Sequence, residues 1–139
     1  MTLYNPEAYE KSKLWKFENF NECWEPTNIQ MSDLDGIVER KGHFLVVEFK
    51  QPSVTLLPMG QLIMFQQLNK LGCFTILIIY GEPNIPERYE IWQESGLQEK
   101  AECHLDGIKF LMKNWFDKVN KKENLNSLKT DNIVQEEKL

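Results

Sequence analysis

The stretch SDLDGIVERKGHFLVVEFK, residues 32–50, constrains the fold more than any other part of this 139-residue chain. Two segments rich in β-branched and apolar residues flank the dipeptide Lys41-Gly42. Glycine readily takes the positive φ that a tight hairpin turn requires. The pattern therefore predicts an antiparallel β-hairpin in which Arg40 pairs with His43.

Counting outward from this turn places the acidic residues Asp35 and Glu48 opposite each other on neighbouring strands. Like charges in that position destabilise a sheet by up to ~1 kcal/mol. Because side chains alternate between faces, Lys50 shares a face with Glu48. A divalent cation held by the carboxylates would relieve the repulsion. In the simpler alternative, Asp33 and Asp35 are loop and strand-entry residues and Lys50 forms an ordinary ion pair.

The second hairpin strand, residues 44–49, is apolar on both faces except at Glu48. Such a composition is typical of a strand in the middle of a sheet that is covered on two sides. Carboxylates in such strands are rarely left without a partner. The position of Glu48 is therefore a second argument for a bound cation.

A strand, a helix and another strand are predicted next. A loop over residues 51–59 leads to a helix over 60–71, and residues 73–80 form a nearly continuous apolar strand. A crossover of this length implies that the two strands are parallel. Gln61 then falls on the first helical turn, near the carboxyl end of the Glu48 strand, where open α/β sheets place their sites.

The remaining elements complete an α/β fold with a mixed sheet between helices. They are a first helix over 5–20 with Asn5 as N-cap, a turn over 81–86, a short edge strand over 88–93, and a final helix over 107–119 capped by Asp106. A single domain over 1–120 and a polar, disordered tail over 121–139 are expected.

The order of Asp35 and then Glu48-Phe49-Lys50 resembles the PD-(D/E)xK nuclease superfamily, in which an Asp opens one strand and Glu-x-Lys closes the next. The following QPSVTLLPMGQLIMFQQLNKLGCFTILIIYGEP resembles its small branch that includes VRR-NUC domains and phage-borne nucleases. The similarity covers residues 16–120. In one departure, Leu34 replaces the proline of the motif, which leaves both Asp33 and Asp35 open as the first acid.

This resemblance implies a restriction-endonuclease-like fold and Mg²⁺- or Mn²⁺-dependent hydrolysis of phosphodiester bonds in DNA. The metal ligands it implies are Asp35, Glu48 and the backbone carbonyl of Phe49. It further implies that Lys50 acts on the attacking water and on the charge of the transition state, and that Gln61 positions the water or Lys50. These four side chains, Asp35, Glu48, Lys50 and Gln61, are the predicted catalytic residues.

Two further acids are open as metal ligands. Asp33 is the alternative first acid, and Glu18 corresponds to the first-helix acid that adds a ligand in some related nucleases. The competing interpretation of Glu18, with Glu10 and Glu22, is a set of solvated surface acids.

The net charge of −5 argues against broad attraction to nucleic acid, since non-specific DNA binding comes largely from Lys and Arg. We therefore expect weak binding to DNA. The DNA substrate is branched or is presented by a protein partner in this interpretation. Whether the chain forms a homodimer is left open. The alternative function is a non-catalytic binding or phage counter-defence module on a nuclease fold.

The composition also predicts the cellular setting. No run approaches the ~18 apolar residues of a membrane span, and the N-terminus lacks the apolar core of a signal peptide. We expect a cytoplasmic protein without a membrane partner. The three cysteines are widely spaced and predict reduced, mostly buried thiols, not a disulfide framework or a zinc site.

We expect the last twenty residues, 120–139, to be dispensable for folding. They are too polar to offset an ordering entropy of roughly 1–2 kcal/mol per residue. A chain that ends at Lys122 should melt within about 5 °C of the full chain, since a larger drop corresponds to roughly 1–2 kcal/mol in a domain of this size. A larger drop would show that the tail packs on the core or completes an interface.

Overall fold

The computed structural model describes residues 5–94 and 96–122 and divides the chain into two compact units, Met1–Asp33 and Leu34–Leu139. In the first unit, helix α1 (Pro6–Ser12) precedes a 3₁₀ helix (Phe17–Trp24). Asn5 caps α1 as predicted, because its Oδ1 accepts a hydrogen bond from the Ala8 amide at 3.1 Å. The single helix predicted over 5–20 is wrong in its length. The Ser12 hydroxyl donates to the Tyr9 carbonyl, and such local bonds compete with helix continuation.

The second unit is a mixed α/β structure. Its elements are β1 (Gly36–Arg40), β2 (His43–Lys50), α2 (Met59–Lys70), β3 (Phe74–Glu82), β4 (Ile85–Gln93), β5 (Gly96–Glu102) and α3 (Leu105–Asn120). The five strands follow the order β1-β2-β3-β4-β5 in one sheet. Strands β2 and β3 are parallel, as the intervening helix predicted, and the other neighbours are antiparallel.

The predicted hairpin is confirmed. Lys41 and Gly42 both have positive φ, 54° and 81°, and Arg40 pairs with His43. A lysine with positive φ is unusual, and the contacts of its side chain help to hold it in place. The Lys41 ammonium donates to the Asn120 carbonyl at the end of α3, at 2.6 Å. The turn is therefore tied to the last turn of this helix.

The central strands β2 and β3 are covered on both faces, which explains why they are largely apolar. One face packs against α3 through a cluster of Leu45, Val47, Leu77, Ile79, Tyr89 and Ile108. The other packs against α2 through Val46, Phe65, Ile76, Ile78 and Tyr80. Even-numbered residues of β2 thus face α2, and odd-numbered residues face α3.

The far side of the sheet differs from the prediction. Strand β4 is longer than expected and lies between β3 and β5, not at an edge. Strand β5 was not predicted, because GLQEKAE is mostly polar and exposed and carries no apolar alternation. Its pairing with β4 supplies the order that its own sequence does not encode.

Two smaller expectations also need correction. Helix α3 begins at Leu105, and His104, not Asp106, is its N-cap. Asp106 lies in the first turn, where its negative charge interacts favourably with the helix dipole. Cys23 is exposed and the other two cysteines are partly exposed, so the thiols are not mostly buried. Within the described residues, no helix is long and apolar enough to cross a membrane.

Gly81 is expected to be intolerant of any side chain. It lies at a register shift in β3, and a Cβ there would meet the Ile85 carbonyl oxygen at 2.4 Å and the Pro86 Cα at 2.6 Å. Gly81→Ala should therefore destabilise the protein by roughly 1–3 kcal/mol, the usual cost of overpacking. Gly60→Ala is the matched control, since a Cβ at Gly60 would meet nothing within 4 Å. Equal denaturant midpoints for the two variants would contradict this account.

Candidate functional site

Glu48 is the buried acid at the centre of the candidate site. It is 3 % exposed, near the carboxyl end of β2, on the face that packs against α2. Its Oε1 accepts a hydrogen bond from the Asp35 amide at 3.1 Å, and its Oε2 accepts one from Gln61 Nε2 at 2.9 Å. Both carboxylate oxygens are therefore held in fixed positions.

Asp35 lies beside Glu48, as the count from the turn predicted. It directly precedes β1, and its Oδ2 accepts a hydrogen bond from the Phe49 amide at 2.8 Å. The contacts are reciprocal, because the amide of Asp35 binds the Glu48 carboxylate while the carboxylate of Asp35 binds the neighbouring amide. Asp35 is exposed, so one acid of the pair faces solvent and the other is buried.

Burial raises the pKa of Glu48 above its usual value, and the negative charge of Asp35 adds to the rise. The hydrogen bond from the Asp35 amide, the charge of Lys50 and the hydrogen bond from Gln61 oppose it without cancelling it. The ionised form of Glu48 is thus disfavoured in the isolated protein. A cation beside the two carboxylates would favour that form and would itself be attracted by it.

Lys50, the last residue of β2, is half-buried and close enough for its charge to act on Glu48. Among the described residues it forms no salt bridge, whereas Lys11, Lys13 and Lys113 do. The ordinary ion pair considered for Lys50 is therefore not seen within this part of the chain. Its ammonium is available to another negatively charged group.

Gln61 lies on the first turn of α2 and contacts Glu48 directly. If the Gln61 amide were flipped, its carbonyl oxygen would face the Glu48 carboxylate oxygen, and the two would repel each other. Its Oε1 is buried and accepts no hydrogen bond from any described group. The sequence predicted that Gln61 adjoins the site, and the contact found in the structure is with Glu48.

The donor groups fit a hard divalent cation. Mg²⁺ is commonly bound by one or two carboxylates and otherwise keeps water ligands. Asp35 and Glu48 would supply the carboxylates, and the backbone carbonyl of Phe49 is a further oxygen of the right kind. No group of three or more Asp, Glu, His or Cys side chains in the described residues is placed to hold a metal. Asp33 and Glu18 belong to the N-terminal unit, and their role as ligands stays a prediction.

Sequence reasoning missed Arg88, which holds the loop that follows Lys50. Its guanidinium donates to the carbonyls of Pro52 at 2.9 Å and Val54 at 2.6 Å, and it lies 4.2 Å from the centre of the Tyr80 ring. Burial, reinforced by the neighbouring Glu90, raises the pKa of Tyr80 to about 12, so its hydroxyl stays neutral. Arg88 lies in a strand of mixed polarity beside Glu87, and nothing in that local pattern distinguishes it from a surface residue.

Comparisons with protein-family models, curated proteins and solved structures found no match.

Proposed function

We propose that this chain is a PD-(D/E)xK-type nuclease with a restriction-endonuclease-like fold, which hydrolyses phosphodiester bonds in DNA with Mg²⁺ or Mn²⁺. One observation carries the proposal. Asp35 and the buried Glu48 are held side by side by reciprocal hydrogen bonds with the backbone, and Lys50 follows at the end of the same strand. Repulsion between paired acids costs a sheet stability, and a bound cation would remove that cost.

Each residue has a distinct role in this proposal. Asp35, Glu48 and the Phe49 carbonyl would hold the cation, which when bound supplies Lewis-acid activation of water and of the phosphate. Lys50 orients the attacking water and stabilises the negative charge that develops on the phosphate oxygens. Gln61 fixes the Glu48 carboxylate through its Nε2, so it is a positioning residue.

A second candidate function is a nuclease-fold binding or phage counter-defence module without catalysis. The observation that favours it is that both carboxylate oxygens of Glu48 already accept a hydrogen bond from a protein donor. The net charge of −5 also favours a protein partner over nucleic acid. Against it, hydrogen bonds do not remove the charge of a carboxylate, and each oxygen keeps a second lone pair for a cation.

A cleavage assay distinguishes the two functions. End-labelled linear duplex, branched and single-stranded DNA are incubated with the full chain in Mg²⁺, in Mn²⁺ and in EDTA, beside a Glu48→Gln preparation made in the same way. The proposal predicts cleavage of at least one substrate by the parent chain, lost in EDTA and in the variant. Intact DNA with both metals and all three substrates would support the non-catalytic module instead.

A further inference from the structure

A pocket of about 760 Å³ lies at the end of β2 and is lined by α3, the end of β3 and the loop that follows Lys50. Its walls are mainly apolar and include Phe49, Ile79, Leu105, Ile108 and Met112. Phe49 is 60 % exposed although it belongs to a strand that is otherwise largely buried. An exposed aromatic ring in an apolar pocket of this size is typical of a binding site for a small organic group.

The pocket adjoins the candidate active site through the backbone of β2. Phe49 lies between Glu48 and Lys50 in sequence, and side chains alternate along a strand. Its ring therefore faces α3 while Glu48 faces α2. Lys50 lines the pocket, and its charge also acts on the Glu48 carboxylate, so this side chain adjoins both the pocket and the candidate active site. A ligand in the pocket would lie one residue away from the paired acids.

The charged side chains that line the pocket are more positive than negative. Lys50 and Lys109 are its basic residues, and Glu82 is its acid. Gln51 and Asn84 add side-chain amides, which both donate and accept hydrogen bonds. The pocket thus combines an aromatic ring, amides and two ammonium groups. These groups match the flat ring, the polar edge and the phosphates of a nucleotide.

We infer that this pocket receives one unpaired nucleobase of the DNA substrate, stacked on Phe49, with the adjoining phosphates near Lys50 and Lys109. The inference rests on the proposed nuclease function and names its substrate class as single-stranded or frayed DNA. A paired base exposes only its edge in a groove, whereas an unpaired base offers the face of its ring for stacking. Base-aromatic stacking is independent of sequence, so no particular base is selected by the ring.

Fluorescence anisotropy in EDTA tests the inference, because no cleavage is then required. The probes are a labelled single-stranded 12-mer, the same 12-mer as a duplex, and a 12-mer of abasic sugar phosphates. The parent chain is expected to bind the single strand at least tenfold more tightly than the other two. Loss of one base-aromatic stack weakens binding by roughly 5- to 150-fold. Phe49→Ala, which keeps the backbone carbonyl, should therefore bind the single strand that much more weakly.

Two matched variants complete the design. Phe49→Trp should bind the single strand as the parent does, because it keeps a stacking ring. Phe110→Ala removes an aromatic side chain of α3 that is 70 % exposed and does not line the pocket, and it should leave all binding unchanged. Melting temperatures establish that each variant is folded.

The outcomes separate this inference from the proposed function. Cleavage by the parent chain with equal single-strand binding by Phe49→Ala would overturn the pocket assignment alone. Phe49-dependent binding of the single strand without any cleavage would support the pocket and overturn the nuclease. Three results would overturn the nucleobase assignment. They are undetectable binding of every probe, binding of the abasic strand as tight as that of the normal single strand, and self-association of the chain that Phe49→Ala abolishes.

Discussion

Lys50→Ala is expected to lower the rate of DNA cleavage by about 10²–10³-fold, the typical cost of losing one preorganised electrostatic group. The ammonium acts on the water and on the transition state, so the fold and most of the metal binding should persist. Single-turnover cleavage rates at saturating Mg²⁺ measure the effect.

Lys70→Ala is the control for the loss of a positive charge. Lys70 is exposed on the last turn of α2, outside the candidate site. It should cleave at the parent rate. Equal rates for Lys50→Ala and Lys70→Ala would remove Lys50 from the catalytic mechanism.

Glu48→Gln is expected to abolish cleavage while it stabilises the metal-free protein at neutral pH. Burial raises the pKa of Glu48 in the folded state, so its contribution to stability is full below the unfolded pKa and is lost as the pH rises through the folded pKa. At pH 8 the parent carries the cost of the buried charge, and the variant does not. The variant should then melt roughly 3–6 °C higher, the shift that about 1 kcal/mol produces in a domain of this size.

The pH dependence and the response to Mg²⁺ make this prediction specific. The difference in melting temperature should shrink toward pH 4, where the parent carboxyl is protonated. Saturating Mg²⁺ should raise the melting temperature of the parent and not of Glu48→Gln, because only the parent binds the ion. Glu102→Gln, on the exposed strand β5, should behave as the parent does. A variant less stable than the parent at every pH would show that Glu48 is a structural group.

The site was predictable to the extent that local rules determine it. The Lys41-Gly42 turn sets the register of the hairpin, and the register brings Asp35 to Glu48. Gln61 contacts Glu48 because the helix that follows a parallel strand begins near the carboxyl end of that strand. Turn residues, apolar periodicity and the length of a crossover are local properties, which a single sequence records.

The features that the sequence did not reveal depend on distant contacts. Strand β5 is ordered by its pairing with β4, not by apolar alternation of its own. Arg88 donates to backbone carbonyls more than thirty residues away in the chain. Every residue has a backbone carbonyl, so the sequence does not indicate which carbonyl an arginine binds. The pocket beside Phe49 likewise forms only when α3 packs against the sheet.

Anomalous diffraction from crystals of the full chain soaked in Mn²⁺ tests the central claim most directly. The account predicts an anomalous peak between the carboxylates of Asp35 and Glu48, absent from Glu48→Gln crystals treated in the same way. Carboxylates that bind no ion at saturating Mn²⁺, or manganese bound only elsewhere on the protein, would contradict it.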